Sequence, residues 1–130
     1  MEIENKIKTY RDLDVWKIAM DVTVDIYKLT SEFPKHEIYG LTSQIQRAAV
    51  SIPANIAEGH GRLHIKEYIN HLSISRGSLT ELETHLILSQ RLGYTSRELL
   101  IPIWNQLQSI GKMINQLMKS LKAINKNEKD

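Results

Sequence analysis

Four lysines near the end of this chain, Lys112, Lys119, Lys122 and Lys126, are the first candidates for chemistry. At about 100° per residue they share one side of a helix, with Gln108 and Asn115 between them. Residues 99–126 contain no acid, so this face is basic without interruption. Such a face can neutralise the phosphates of a nucleic acid, which positions the ligand without reading its sequence. It can equally be a solvated surface. No aromatic interrupts it, so a stacking platform for single strands is not expected. Arg62 and Lys66, at the turn between the second and third helical segments, would extend it.

A second constellation is polar. Gln44, Arg47, Ser51, Asn55 and Glu58 step by three and four and occupy one helical face. That face lies about 100° from the apolar row Leu41, Ile45, Ile52 and Ile56. It is either a solvated face or a network buried against another helix or subunit. A mid-helix Ser and Asn carry a propensity cost that a network would explain. A hairpin turning near residue 61 sets Arg47 opposite Arg76, so its carboxylate is expected from Glu58 or from another chain.

Catalytic groupings fail on spacing. Ser78 and His85 are separated by about 10 Å along a helix, beyond nucleophile–base contact. A di-iron bundle needs Glu-x-x-His on two helices, and the sequence has none. His60, His64, Glu67 and His71 are the one metal-like group, but they straddle a loop and an exposed first turn. Gly59-His60-Gly61-Arg62 lacks the Gly-Lys-Ser/Thr of a phosphate cradle. No enzyme activity, metal, cofactor or small-molecule substrate is expected.

These residues need elements to hold them. The chain has 130 residues, enough for one core, and no cysteine. No apolar run approaches the ~20 residues of a membrane span. Met1 to Arg11 lacks the apolar stretch of a signal peptide, so a cytoplasmic protein is expected. Net charge is only +2, but residues 12–32 carry five acids against Lys17 and Lys28. Acidic and basic segments of this kind serve either nucleic acid or contact between subunits.

Punctuation divides the chain into four helical segments at about 12–30, 37–58, 64–92 and 95–124. Phe33-Pro34 breaks the first, and Gly59 and Gly61 are expected to cap the second. Gly93 ends the third, and Thr95 with Glu98 forms a capping-box pattern for the fourth. Pro53 and Pro102 should kink their helices or mark late starts. Ile103, Leu107, Ile110, Ile114, Leu117, Leu121 and Ile124 form a seam, while Ile65, Leu72, Leu79 and Leu86 repeat by sevens. Ser75, Gly77 and Ser78 should admit a close neighbour. The expectation is an all-α, antiparallel up-down four-helix bundle, one domain over 1–130 with flexible tails at 1–11 and 126–130.

The stretch from Leu41 to Gly59, LTSQIQRAAVSIPANIAEG, is recognisable. It resembles the signature of the four-helix bundle proteins encoded in intervening sequences of bacterial large-subunit ribosomal RNA genes. Leu13-Asp-Val-Trp16-Lys-Ile-Ala, Phe33-Pro34, Gly77-Ser-Leu-Thr-Glu81-Leu-Glu83 and Leu92-Gly-Tyr94 agree with it, so the resemblance covers about residues 10–120. Gln46 stands where many members carry a second arginine beside Arg47. The resemblance implies an up-down bundle, often a homopentamer, associated with ribosomal RNA. It also reaches the accessory proteins of diversity-generating retroelements, though the signature is closer to the ribosomal-RNA type. It favours a network in the second segment, and structured RNA or a ribonucleoprotein as partner. A scaffold that binds protein alone is the alternative.

Overall fold

A computed structural model describes residues 7–129. Of the expected tails, residues 1–6 and 130 lie outside that range. Four α-helices account for most of the rest: α1 (Asp14–Thr30), α2 (Leu41–His60), α3 (Ile65–Arg91) and α4 (Arg97–Lys129). There is no strand among the described residues. Each helix packs on two others, in the cyclic order α1, α2, α3, α4. Hydrogen bonds fix the directions. Ser78 bonds Ser51 and His71 bonds Asn55, so α3 runs against α2; Glu83 with Gln108 and Arg76 with Asn115 run α4 against α3.

The ends of the helices differ from the expected punctuation in instructive ways. Before α1, Thr9 and Asp12 form a capping box around a 3-10 turn, Tyr10–Asp12. Helix α2 begins four residues later than expected, because Lys35–Glu37 is a separate 3-10 turn and the backbone at Gly40 leaves the helical region. Its end is not a left-handed cap: Gly61 stays right-handed and Gly59 lies inside the helix. Among the described residues Gly93 alone takes positive φ, +80°, where a side chain would be strained. Because Arg97 is the first residue of α4, Ser96 occupies the cap position. Its Oγ accepts the Leu99 amide at 3.2 Å, and the expected cap, Thr95, has a buried hydroxyl with no partner among the described residues. Both prolines lie within continuous helices.

The core follows the apolar periodicity. Ile26, Ile45, Ile52, Ile56, Leu72, Leu82, Leu86, Leu107, Ile110 and Ile114 are fully enclosed. In α4 the buried row moves from the expected Leu117 to Met118, and Ile124 is 47% exposed. A straight helix turns 3.6 residues per turn, so a three-four row drifts off the core face with length. Beyond Met118 no residue of α4 with a described side chain is buried. Gly77, expected at a close approach, faces open space, and Ser75 takes that place instead.

Glu37 ties one end of the bundle together. Its Oε1 accepts the Leu41 amide at 3.0 Å, capping α2 from outside, and its Oε2 accepts the Tyr94 hydroxyl at 2.8 Å from beyond α3. Those two bonds, the amide foremost, hold the carboxyl below its usual range, while the same bond raises the Tyr94 hydroxyl.

Two outcomes are expected. Ile114→Ala removes a fully buried side chain and should cost about 2–5 kcal/mol, read from the urea midpoint. Glu37 titrates lower folded than unfolded, so its contribution is complete above the ordinary carboxylate range and is lost as pH falls through the depressed folded value. Glu37→Gln should therefore lower the thermal midpoint at neutral pH, and its gap to the parent protein should close on acidification.

Candidate nucleic-acid interface

Helix α4 carries Lys112, Lys119, Lys122 and Lys126 on its solvent side, and all four are exposed. None is ion-paired among the described residues. The face they form adjoins α3, because Gln108 and Asn115, on the same flank, bond across to that helix. The antiparallel register carries Lys122 and Lys126 towards the first turns of α3, where Lys66 is also exposed. The structure therefore assembles Lys112, Lys119, Lys122, Lys126 and Lys66 along one seam. Arg62 is engaged locally: its Nη2 lies 2.6 Å from Glu58 Oε2 in an exposed pair on the α2–α3 turn. Such a pair is worth under about 1 kcal/mol, yet it places a carboxylate beside that cation.

Gln108 Nε2 donates to Glu83 Oε2 at 2.7 Å, holding one oxygen of the acid at the upper edge of the basic seam. Arg76, on α3, donates from Nη1 to Asn115 Oδ1 at 3.0 Å. Arg76 was invisible as a member of this face in the sequence, because the facing of two helices depends on the turn that joins them.

The polar stripe of α2 divides in two. Ser51 and Asn55 enter the α2–α3 seam, where Asn55 Nδ2 donates to the Ser51 carbonyl at 2.9 Å and to Ser51 Oγ at 3.0 Å. That leaves Asn55 Oδ1 to accept His71 Nδ1–H at 3.0 Å, and Ser78 Oγ donates to Ser51 Oγ at 2.8 Å. Gly59 lets the helices meet here, since a Cβ on it would stand 2.8 Å from His71 Cβ. Gln44, Arg47 and Glu58 remain exposed. Arg47, expected to be at least partly buried and hydrogen-bonded, is exposed and has no hydrogen-bond or ion-pair partner among the described residues. The register also differs from the expected one. The turn occupies residues 61–64, and the Ser51–Ser78 and Asn55–His71 bonds place Arg47 across from Glu81 and not Arg76. Glu58, eleven residues on, is about 16 Å away along the axis, and Glu81 accepts from His85. Gln46, in place of a second arginine, donates to Thr30 Oγ1 at 3.1 Å and bridges α2 to α1.

Two histidines of the metal-like group serve packing, and the third, His64, is exposed. His71 belongs to the network above, and His60 stacks edge-on against Tyr68 at 5.7 Å. Burial pushes the Tyr68 hydroxyl up to about 12. No group of three or more possible ligands comes together among the described residues. Nor is any of their helices long and apolar enough to cross a membrane.

Fold and surface thus define a small helical bundle with a basic seam on one side. The family model for 23S rRNA-intervening sequence proteins matches residues 11–116, and the chain belongs to that family. It is also similar to a solved structure from Bacteroides thetaiotaomicron, a protein of unknown function from the S23 ribosomal protein family. The two share 28% identity with a TM-score of 0.75, over 81% of this chain and 95% of that one. No curated protein matches.

The α2–α3 network has a measurable weight. Asn55→Ala leaves His71 Nδ1–H without its acceptor in a half-buried seam, and should cost about 1–3 kcal/mol in chemical denaturation.

Proposed function

We propose that this protein is a non-enzymatic, cytoplasmic homo-oligomer that binds structured RNA through the basic seam of α3 and α4. The observation that carries this reading is the row of four exposed lysines with no carboxylate partner among the described residues. Surface lysines in a chain with 15 acids would ordinarily be interleaved with acids; here the cations stand together. The family's description makes 23S rRNA the natural ligand to test. The family match ends at residue 116, so Lys119, Lys122 and Lys126 lie beyond the matched residues.

Assembly into a homo-oligomer, a pentamer by family resemblance, is the second part of the reading. Its support is an apolar strip on the other side of the bundle. Met20, Val24 and Tyr27 of α1 are 41%, 51% and 45% exposed, and Val50 of α2 is 42% exposed. Thr23, between Met20 and Tyr27, has its hydroxyl 3.3 Å from the Ala49 carbonyl, so the strip follows the α1–α2 groove. The unpartnered Arg47 and Gln44 lie on the same helix as Val50. A second copy covering this strip would leave the α3–α4 seam open, and several weak seams would act together on one RNA. The same strip favours the rival reading, a scaffold that assembles without RNA.

Each phosphate neutralised on a duplex steepens the slope of log affinity against log salt by roughly 0.9. Changing Lys112, Lys119, Lys122 and Lys126 to Gln should flatten that slope by about two to four units on a 23S rRNA fragment. Lys17→Gln with Lys28→Gln, on α1, removes charge elsewhere and should leave it unchanged. Light scattering should give a mass several times the 15.0 kDa of the chain. An intact protein that ignores the fragment at low salt, or an unchanged slope in the four-lysine variant, would leave the scaffold reading in its place.

A further inference from the structure

The lysine seam holds one cation that differs from the others in being oriented. Arg76 is exposed on α3, and its Nη1 donates at 3.0 Å to Asn115 Oδ1 on α4. Asn115 follows Lys112 by three residues and precedes Lys119 by four, so the guanidinium is held between those two lysines on the seam. Within one turn of Arg76 the facing positions of α3 are Leu72, Ser73, Leu79 and Thr80; around Asn115 they are Gly111, Lys112, Met118 and Lys119. None is an acid. Glu83 lies seven residues along α3, about 10 Å away, with one carboxylate oxygen bonded by Gln108.

The choice of a neutral partner matters. A carboxylate would hold a guanidinium more firmly but would cancel its charge, whereas an amide oxygen fixes its plane and leaves the charge intact. Arginine carries five N–H donors in a flat fork, and Asn115 takes one of them. The remaining donors can meet two oxygens of one phosphate together, a geometry that a lysine ammonium cannot supply.

We propose that Arg76, oriented by Asn115, is the anchoring contact of the seam, gripping one phosphodiester of an RNA backbone in bidentate fashion while Lys112 and Lys119 neutralise its neighbours. Arg76 is the binding residue and Asn115 the positioning residue. The lysines set how strongly a polyanion is attracted; the anchor sets where along the bundle its backbone lies. The proposal rests on the RNA-binding reading given above.

Fluorescence anisotropy with a labelled hairpin from 23S rRNA, titrated over a range of salt, separates the two. Arg76→Lys keeps the charge and loses the fork, so affinity should fall roughly tenfold at fixed salt with the slope unchanged. Arg76→Gln should also flatten the slope by about one unit. Asn115→Ala should weaken binding severalfold in the parent protein and have no further effect beside Arg76→Lys, since it acts only through the fork. Thermal midpoints should hold throughout, because both side chains are exposed. If Arg76→Lys binds as the parent does while the four-lysine variant loses its slope, the basic seam stands and the anchor is overturned. An equal loss from Asn115→Ala in both backgrounds overturns the positioning role. Absence of binding by the intact protein overturns the anchor together with the reading beneath it.

Discussion

Ser75 sits in the seam between α2 and α3 with no exposure, and its hydroxyl donates at 2.7 Å to the Ile52 carbonyl. A buried hydroxyl without a partner would be costly, so this bond sets the height at which α3 meets α2. It does so at the interrupted turn of α2, because Pro53 follows Ile52 and has no N–H to give the Ala49 carbonyl. On the other side of α2, the Thr23 hydroxyl, bonded at 2.7 Å within α1, also lies 3.3 Å from that carbonyl. Once α3 is fixed at Ser75, Ser78 meets Ser51, His71 meets Asn55, and Gly59 meets His71 and Tyr68. The seam is narrow because its residues are small. Large aliphatic side chains from all four helices fill the rest of the core.

That arrangement separates the outer surfaces. Helices α1 and α2 present an apolar strip with a scatter of acids, while the α3–α4 seam carries the lysines beside the Arg76–Asn115 and Gln108–Glu83 bonds. A ligand on one side need not compete with a neighbour on the other. The two ends differ as well. Glu37 and Tyr94 tie down the end where α2 begins and α4 starts, whereas α4 runs on at the opposite end past its last buried residue, Met118.

The existence of four helices was legible because glycine, proline and polar clusters punctuate four amphipathic runs. Their ends were less so. Glu37 reads as the start of a helix by composition, but it acts as an external cap, and only the path of the chain through Gly40 reveals this. The lysine face was legible because it lies on one helix, where spacing alone decides which side chains share a side. Arg47 and Arg76 were not, since their surroundings depend on how two helices are offset. The turn at residues 61–64 moved Arg47 away from Arg76 and across from Glu81, and the next turn brought Arg76 to Asn115. A shift of a few residues in one connection exchanges the neighbours of every side chain on the seam. Ser51 and Asn55 stood out by their propensity cost, and that signal pointed to a true network.

The short α2–α3 turn also gives the molecule an order of events. Ser75 and Ile52 are 23 residues apart in sequence, while Tyr94 and Glu37 are 57 apart. Closing the longer loop from an unstructured chain costs about 0.8 kcal/mol more in entropy than closing the shorter one. Contacts between near neighbours form with the least search, so the serine-lined hairpin, like the α1–α2 pair joined by Gln46 and Thr30, is cheap tertiary structure for the emerging chain. Its two helices then offer α1 and α4 a ready-made groove on either side. Small side chains thus let two helices close early on one another, and the aliphatic rows they already carry wait for the remaining pair.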